Sequence, residues 1–299
     1  MPITPQSLSL EERRVRRAAR REAQREANLE RSQKMHVARL ENGTSVEDPD
    51  ESCLQRYNVG CSGWFYWHWR GDFYPADMPT SRWFEHYLTQ FQTVELNAPF
   101  YSWPTIGAVK KWLTQAGDSR LIYTVKVCEL ITHVKRFVST KTLVKDFGHI
   151  GDLLGNRMGC FLFQLPPGYD YTPARLKAIV SQLDPRFRNV VEFRHRSWWN
   201  EVVYDAFEGA GIIFCSCSGP RLPDQLVKTS NEIYLRFHGT SQWYRHNYTT
   251  DELAVWVDRV KNSGAERVWA YFNNDREGNA IRNAQEFLSL LGQDRQICA

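Results

Sequence analysis

CFLFQLPPGYDYTPARLKAIVSQLDPRFRNVVEFR, residues 160–194, decides the fold. It opens on an apolar run, Cys160–Leu165, that stops at two prolines. Thr172 followed by Pro173 then supplies an N-cap and a first-turn proline for ARLKAIVSQL. A second apolar run, Asn189–Arg194, closes the stretch. Strand, helix and strand in this order form one α/β unit.

The same unit repeats in both directions. Short runs rich in β-branched and aromatic residues recur at Tyr57–Cys61, Thr93–Asn97, Leu121–Val127, Gly211–Cys217, Glu232–His238 and Arg267–Asn273. Helix starts stand between them. Thr249 with Glu252 makes a capping box ahead of ELAVWVDRV, and Gly264 can end that helix. Thr80 or Ser81 precedes RWFEHYL, and Thr105 precedes AVKKWL. SGPRLPDQLVKTS, after the sixth run, holds two prolines and predicts a loop or a short helix. Eight strand–helix units fit the ~250 residues of a (β/α)8 TIM barrel. An open doubly wound sheet would carry G-x-G-x-x-G after its first strand, and VGCSGW has another spacing. With no Walker loop and no H-E-x-x-H either, no cofactor is implied.

Composition divides the chain at residue 56. Its 299 residues hold 16 Phe, 11 Trp and 13 Tyr, all from Tyr57 onward. That richness excludes a disordered protein. No run approaches the ~18 apolar residues of a membrane helix. Residues 57–299 are therefore read as the barrel and 1–56 as a charged extension, helical or disordered. The formal charge is +4, yet residues 1–52 hold ten Arg/Lys and ten Asp/Glu, so the excess belongs to the barrel. Within the leader, Arg13, Arg14, Arg16, Arg17, Arg20 and Arg21 come early, and Glu47, Asp48, Asp50 and Glu51 late. It lacks an apolar stripe and reads as a solvated segment packing on nothing, or else as an arginine-rich nucleic-acid contact. Glu22, Glu26 and Glu30 count against the second reading and against a transit peptide. Seven cysteines (Cys53, Cys61, Cys128, Cys160, Cys215, Cys217 and Cys298), odd in number and without a C-x-x-C pair, predict a reducing, cytoplasmic setting.

In a barrel, alternate strand residues face inward and the active site sits at the carboxyl ends of the strands. That parity selects Glu95 and Asn97, Lys126, Gln164, Glu192 and Arg194, Arg236 and His238, and Tyr271 and Asn273 from six strands. Two carboxylates facing three fixed cations should pair internally, leaving about one surplus positive charge for a small anionic ligand. The loops HGTS, with Gly239, and NNDREGN, with Asn273 and Asn274, lie where barrels bind phosphate. An ion-pair network that only rigidifies the mouth is the alternative. The loop GWFYWHWRGDFYP, residues 63–75, offers Trp64, Trp67, His68 and Trp69 as a stacking lid or an apolar plug. Trp103, Trp198, Trp199, Trp243 and Tyr244 could extend the same wall.

The runs VGCSGWFYWHWRGDFYP, FQTVELNAPFY, YTVKV with ITHVKR, FLFQLPP, VEFRHRSWW, YLRFHG and YFNND together resemble the domain-of-unknown-function 72, or YecE-like, family from about Tyr57 onward. The resemblance implies a TIM barrel and carries over no catalytic role. The family's first motif often has Thr where Cys61 stands here.

The functional expectation is an enzyme acting on a small anionic or phosphorylated substrate. Glu192 or Glu95 would be a base with a raised pKa, Arg194, Arg236 and Lys126 would hold the anion, and His238 would shuttle a proton. Lys126 as a Schiff-base nucleophile is a second reading. A metal held by Glu95, Glu192, His195 and His238 is a third, which the neighbouring cations oppose. A nucleic-acid-binding or -processing protein is the alternative from another class. No membrane partner is expected.

Overall fold

The computed structural model describes residues 9–43 and 54–292. Eight parallel strands form one sheet in the order β1-β8-β7-β6-β5-β4-β3-β2. They are β1 (Tyr57–Cys61), β2 (Thr93–Leu96), β3 (Ile122–Lys126), β4 (Met158–Gln164), β5 (Arg188–Glu192), β6 (Ile213–Ser218), β7 (Glu232–Phe237) and β8 (Arg267–Phe272). All eight lie on the expected runs, and helices interleave as a (β/α)8 TIM barrel requires. Several end a residue or two early, because their last polar residues turn into the loops of the mouth.

The predicted helix starts are mostly realised. The Thr172 hydroxyl accepts from the Arg175 amide at 3.2 Å and opens α6 (Pro173–Val180). Thr249 and Glu252 form the full capping box of α8 (Thr250–Asn262), and Thr105 caps α4 (Ile106–Ala116). A 3-10 turn at Thr80–Arg82 leads without a side-chain cap into α2 (Trp83–Leu88). Between β6 and β7, where the two prolines stand, the connection is irregular and without helix.

The sheet's ends, β1 and β2, meet at a seam closed by a side chain. The Tyr87 hydroxyl, from α2, accepts from the Cys61 amide at 2.9 Å and donates to the Thr93 carbonyl at 3.0 Å. It takes the place of a ladder rung. Gly60 permits the approach, since a Cβ there would lie 2.3 Å from the Thr93 carbonyl oxygen.

The interior is filled in tiers. At the amino end, Glu232 binds Arg188, Arg267 and the Trp269 indole. Above it, Ile122, Cys160, Leu162, Val190, Ile213, Cys215, Tyr234 and Tyr271 make an inner core separate from the larger one between sheet and helices. The Tyr271 hydroxyl bonds Thr93 at 2.6 Å and Thr124 at 2.8 Å, which satisfies a phenol that would be costly to bury unpaired.

The leader departs from expectation in its packing. Residues Leu10–Asn42 form one helix, α1, opened by a Ser9–Glu12 capping box. It does not pack on nothing: Asn28, Ser32, Met35 and Ala38 are buried. The Asn28 side chain donates to the Tyr101 carbonyl and accepts from the Trp103 amide, while His36 and Arg39 bind Asp146 of α5 (Lys141–Leu154). The anchors are mainly polar, so no apolar stripe announces them. The acidic residues 47–51, Cys53 and Cys298 lie outside the described residues. No described helix is long and apolar enough to cross a membrane.

Candidate functional site

Five of the parity-selected residues meet at the carboxyl end of the interior. Arg236 of β7 donates from Nη2 to Glu95 Oε1 at 2.5 Å and from Nη1 to Glu192 Oε2 at 2.6 Å. Glu192 Oε1 also accepts from Arg194 Nε, and Arg194 Nη2 contacts His238 Nε2 at 2.9 Å. The Arg194 guanidinium lies 4.4 Å from the centroid of the Trp243 ring. Glu95 is completed by Ser62 at 2.7 Å and Tyr234 at 2.6 Å. Glu95, Arg236 and Glu192 are fully buried, so the chain Glu95–Arg236–Glu192–Arg194 neutralises itself inside the barrel.

This arrangement reverses one expectation. Burial alone would raise the Glu192 carboxyl, but Arg194 and Arg236 outweigh it and hold it well below the ordinary carboxylate range. Glu192 is a fixed anion, not a base with a raised pKa. Burial, with Arg194 and Arg236 beside it, pushes His238 well below the usual imidazole range, so it is neutral. Its Nδ1 faces the Asn273 amide at 3.3 Å.

Lys126 is the exception to this pairing. It stands at the end of β3, only 8% exposed, and makes no ion pair or hydrogen bond among the described residues. Its Nζ lies 4.1 Å from the centroid of the Phe100 ring. Burial first, then Arg236 and Arg194, lower its pKa to about 7, although Glu192 and Glu95 oppose them. His133 lies edge-on to Phe100 at 4.9 Å, its pKa lowered to about 4 by burial and then by Lys126. The two carboxylates balance the two arginines, and both histidines are neutral. The surplus charge is therefore Lys126 itself.

The loop bearing His133 is irregular. Leu130–Val134 forms a π-helical turn, and Arg136, Phe137 and Ser139 adopt φ of 48°, 61° and 52°. Non-glycine residues seldom enter this region, and such conformations and π turns gather at functional sites. Gln182 fixes the segment by bonding the Phe137 carbonyl at 2.7 Å and the Thr140 amide at 2.8 Å.

Other candidates lie elsewhere. The Asn97 Nδ2 donates to the Ser62 carbonyl at 3.0 Å, leaving Oδ1 buried without a partner. Gln164 is half-buried and bonds the Leu165 carbonyl. Tyr271 lies a tier lower, within the barrel. The Gly239 amide is taken by Tyr248 at 2.8 Å, and Asn274 is buried against His246 and Asn283, so both brace the loops of the mouth. The Trp64 ring packs on Phe84. Trp67 is exposed, and the buried Trp69 donates to Asp275 at 2.6 Å. Trp103 and Trp198 are buried against Phe147 and Phe193, not on the mouth wall; Trp243 alone of the proposed extension stacks on a site arginine. For the metal reading, Glu192 and His238 group with Cys217, one ligand atom of each lying within 4.8 Å of the others. His195 instead bonds Ser197, and Glu95 is outside that group. Arg194 and Arg236 already occupy the Glu192 oxygens, so this set does not favour a divalent ion.

Residues missed from the sequence are Ser62, Phe100, His133, Tyr234 and Cys217. Tyr234 shares inward parity with Arg236, and Ser62 continues the inward parity of Gly60, so that signal was present for both. Phe100 lies on the short helix Ala98–Tyr101 and His133 in the π-helical turn, where strand parity says nothing.

This barrel, with its charged inner mouth, has relatives. The chain belongs to the family described as "Protein of unknown function DUF72", whose model matches residues 58–298. It is 25% identical over 272 residues to UPF0759 protein YunF of Bacillus subtilis, covering 78% of this chain and 94% of that one. Among solved structures, a DUF72 family protein from Thermotoga maritima superposes with a TM-score of 0.71 at 25% identity, over 80% of this chain and 100% of that one. A DUF72 family protein from Enterococcus faecalis gives 0.63 at 20% identity over 71% and 94%, which bears on the fold alone.

Proposed function

We propose that the protein is an enzyme acting on a small anionic substrate, phosphorylated or carboxylated, by acid–base chemistry at the carboxyl end of the barrel. One observation carries the reading: Lys126 is a buried amine with no ion pair among the described residues, poised to exchange a proton near neutral pH. In this reading Lys126 replaces the carboxylates as the acid–base group: its protonated amine holds the anion and gives a proton to the substrate, and the neutral amine takes one back after rearrangement. Arg194 shares the anion, and Trp243 flanks it. Glu95, Glu192 and the fully buried Arg236 hold Arg194 in place. His238 stays neutral against Arg194. The five described cysteines, all free and buried, support a reducing cytoplasmic setting.

The test is a thermal-shift screen of phosphorylated metabolites and small carboxylates at pH 6 and pH 8.5, with calorimetry on any hit. Binding that needs the Lys126 proton weakens up to about tenfold per pH unit above 7. Lys126→Met should abolish that dependence. Hits that bind equally at both pH values, or equally well to the variant, would refute the assignment. Borohydride trapping with carbonyl compounds separates an imine route, in which Nζ attacks the carbonyl carbon and water leaves, by a mass adduct on Lys126.

A further inference from the structure

The leader helix carries a second charged surface, on a separate element from Lys126. Leu10 through Ala23 are exposed without exception. At about 100° per residue, Arg13, Arg14, Arg16, Arg17, Arg20, Arg21 and Arg25 fall on one half of the circumference. Glu11, Glu12, Glu22 and Glu26 fall on the other. Arg14 and Arg25 touch Glu11 and Glu22. Arg13, Arg16, Arg17, Arg20 and Arg21 make no ion pair among the described residues. Such a segregation is not needed for solubility, which an intermixed pattern serves as well.

The position of this face follows from how α1 is anchored. Arg39 binds Asp146 on α5, part-way down the barrel flank. Asn28 and Arg31 bind Tyr101, Trp103 and Ser102, which follow β2 at the mouth. Moving toward the amino terminus, α1 thus climbs the flank and continues past the rim. The buried Asn28, Ser32, Met35 and Ala38 lie on the same half of the helix as the arginines. Beyond the rim, the arginines therefore face the space over the mouth.

We propose that this face of α1 binds the phosphodiester backbone of a nucleic acid laid across the mouth side of the barrel. Charge complementarity selects the occupant. Guanidinium forks match phosphate oxygens in pairs, and every cation on this face is an arginine. From Arg13 to Arg25 the helix rises about 18 Å, roughly five base-pair steps of 3.4 Å. A membrane surface would need an apolar stripe beside the charges. Here Leu10 is the only large apolar residue on the arginine half, and Val15 lies among the glutamates. The helix precedes the stretch that the family model matches, so the surface is an addition to the shared barrel.

The experiment is fluorescence anisotropy with the full chain and labelled 20-nucleotide single-stranded RNA, single-stranded DNA and duplex DNA, from 50 to 300 mM KCl. Affinity should fall steeply with salt. The variant Arg13→Gln, Arg16→Gln, Arg17→Gln, Arg20→Gln and Arg21→Gln should lower the log–log slope by roughly 0.7–0.9 for each phosphate no longer neutralised. It should bind at least 100-fold more weakly at 100 mM KCl. Glu22→Gln with Glu26→Gln, on the opposite face, should bind as tightly as the parent or tighter. Circular dichroism of the five-arginine variant should show unchanged helix content, since all five side chains are exposed. The proposal is overturned if no nucleic acid binds at 50 mM KCl, or if the five-arginine variant keeps its affinity and slope. Binding only to vesicles containing phosphatidylserine would overturn it equally. The relative affinities for the three probes identify the class of nucleic acid.

Discussion

Glu192→Gln tests whether the charges inside the barrel mouth hold the fold together. The substitution keeps the shape of the side chain but removes the charge that Arg194 and Arg236 share. It also turns an amide NH2 toward one guanidinium, donor against donor, in a place without exposure. Arg236 would retain Glu95, whereas Arg194 would keep only His238 and the Trp243 face. Removing one partner of a buried pair costs about 3–5 kcal/mol. For a domain of this size that lowers Tm by roughly 6–20 °C. Urea unfolding at pH 7, followed by circular dichroism and tryptophan fluorescence, measures the difference. The pH dependence sharpens it. Because the Glu192 carboxyl is depressed in the folded protein, its stabilisation is complete above the unfolded carboxyl range near 4.3 and disappears as pH falls through the folded value. The gap between parent and variant should therefore narrow in acid. A loss below about 1 kcal/mol at pH 7, or a gap constant with pH, would refute the reasoning.

Two further outcomes follow from the structure. Lys126 has its pKa depressed to about 7 against ~10.4 unfolded, so the unfolded chain binds the extra proton between these values and stability should rise with pH across that window. The slope contributed is at most about 1.4 kcal/mol per pH unit, and Lys126→Met should lose it while gaining stability at pH 6; parallel pH–stability curves would contradict this. At the seam, Tyr87→Phe strands the Cys61 amide and the Thr93 carbonyl and should cost about 1–3 kcal/mol. Gly60→Ala should cost more, since its Cβ cannot coexist with the Thr93 carbonyl in place. Equal protection of the Cys61 amide in hydrogen exchange of parent and Tyr87→Phe would count against a side-chain closure.

What could be read from the sequence depended on periodicity. The eight strands were legible because each alternates, and the same alternation placed Glu95, Lys126, Glu192, Arg236 and His238 on one inner surface. Which carboxylate pairs with which cation across the barrel was not. Arg194 stands two residues from Glu192 on the same strand, but Arg236 is 44 residues away, and only the closed sheet brings its Nη1 to the carboxylate. Both cations were selected by parity, but not their contacts with the two Glu192 oxygens; without those contacts burial appeared to raise the Glu192 pKa, and with them the direction reverses. Lys126 was selected by parity, yet its isolation depends on Phe100, on the short helix Ala98–Tyr101, and on His133, in the π-helical turn, and strand alternation reaches neither. Tyr87 read as one apolar residue of a short helix, although its hydroxyl closes the barrel. The docking of α1 escaped because Asn28 and Ser32 carry much of it, where an amphipathic pattern looks only for apolar side chains.

The tiered interior has an electrical consequence. Below the Glu95–Arg236–Glu192–Arg194 chain, the tyrosine and aliphatic tiers and the Glu232 clamp fill the barrel down to its amino end. This packed floor is a poor medium for charge, so field lines from Lys126 cannot spread downward into solvent. They leave through the mouth, where the dielectric contrast concentrates them. One proton gained or lost on a single buried amine therefore changes the potential along the axis of the mouth. The barrel works as a directional antenna for a charge of one unit.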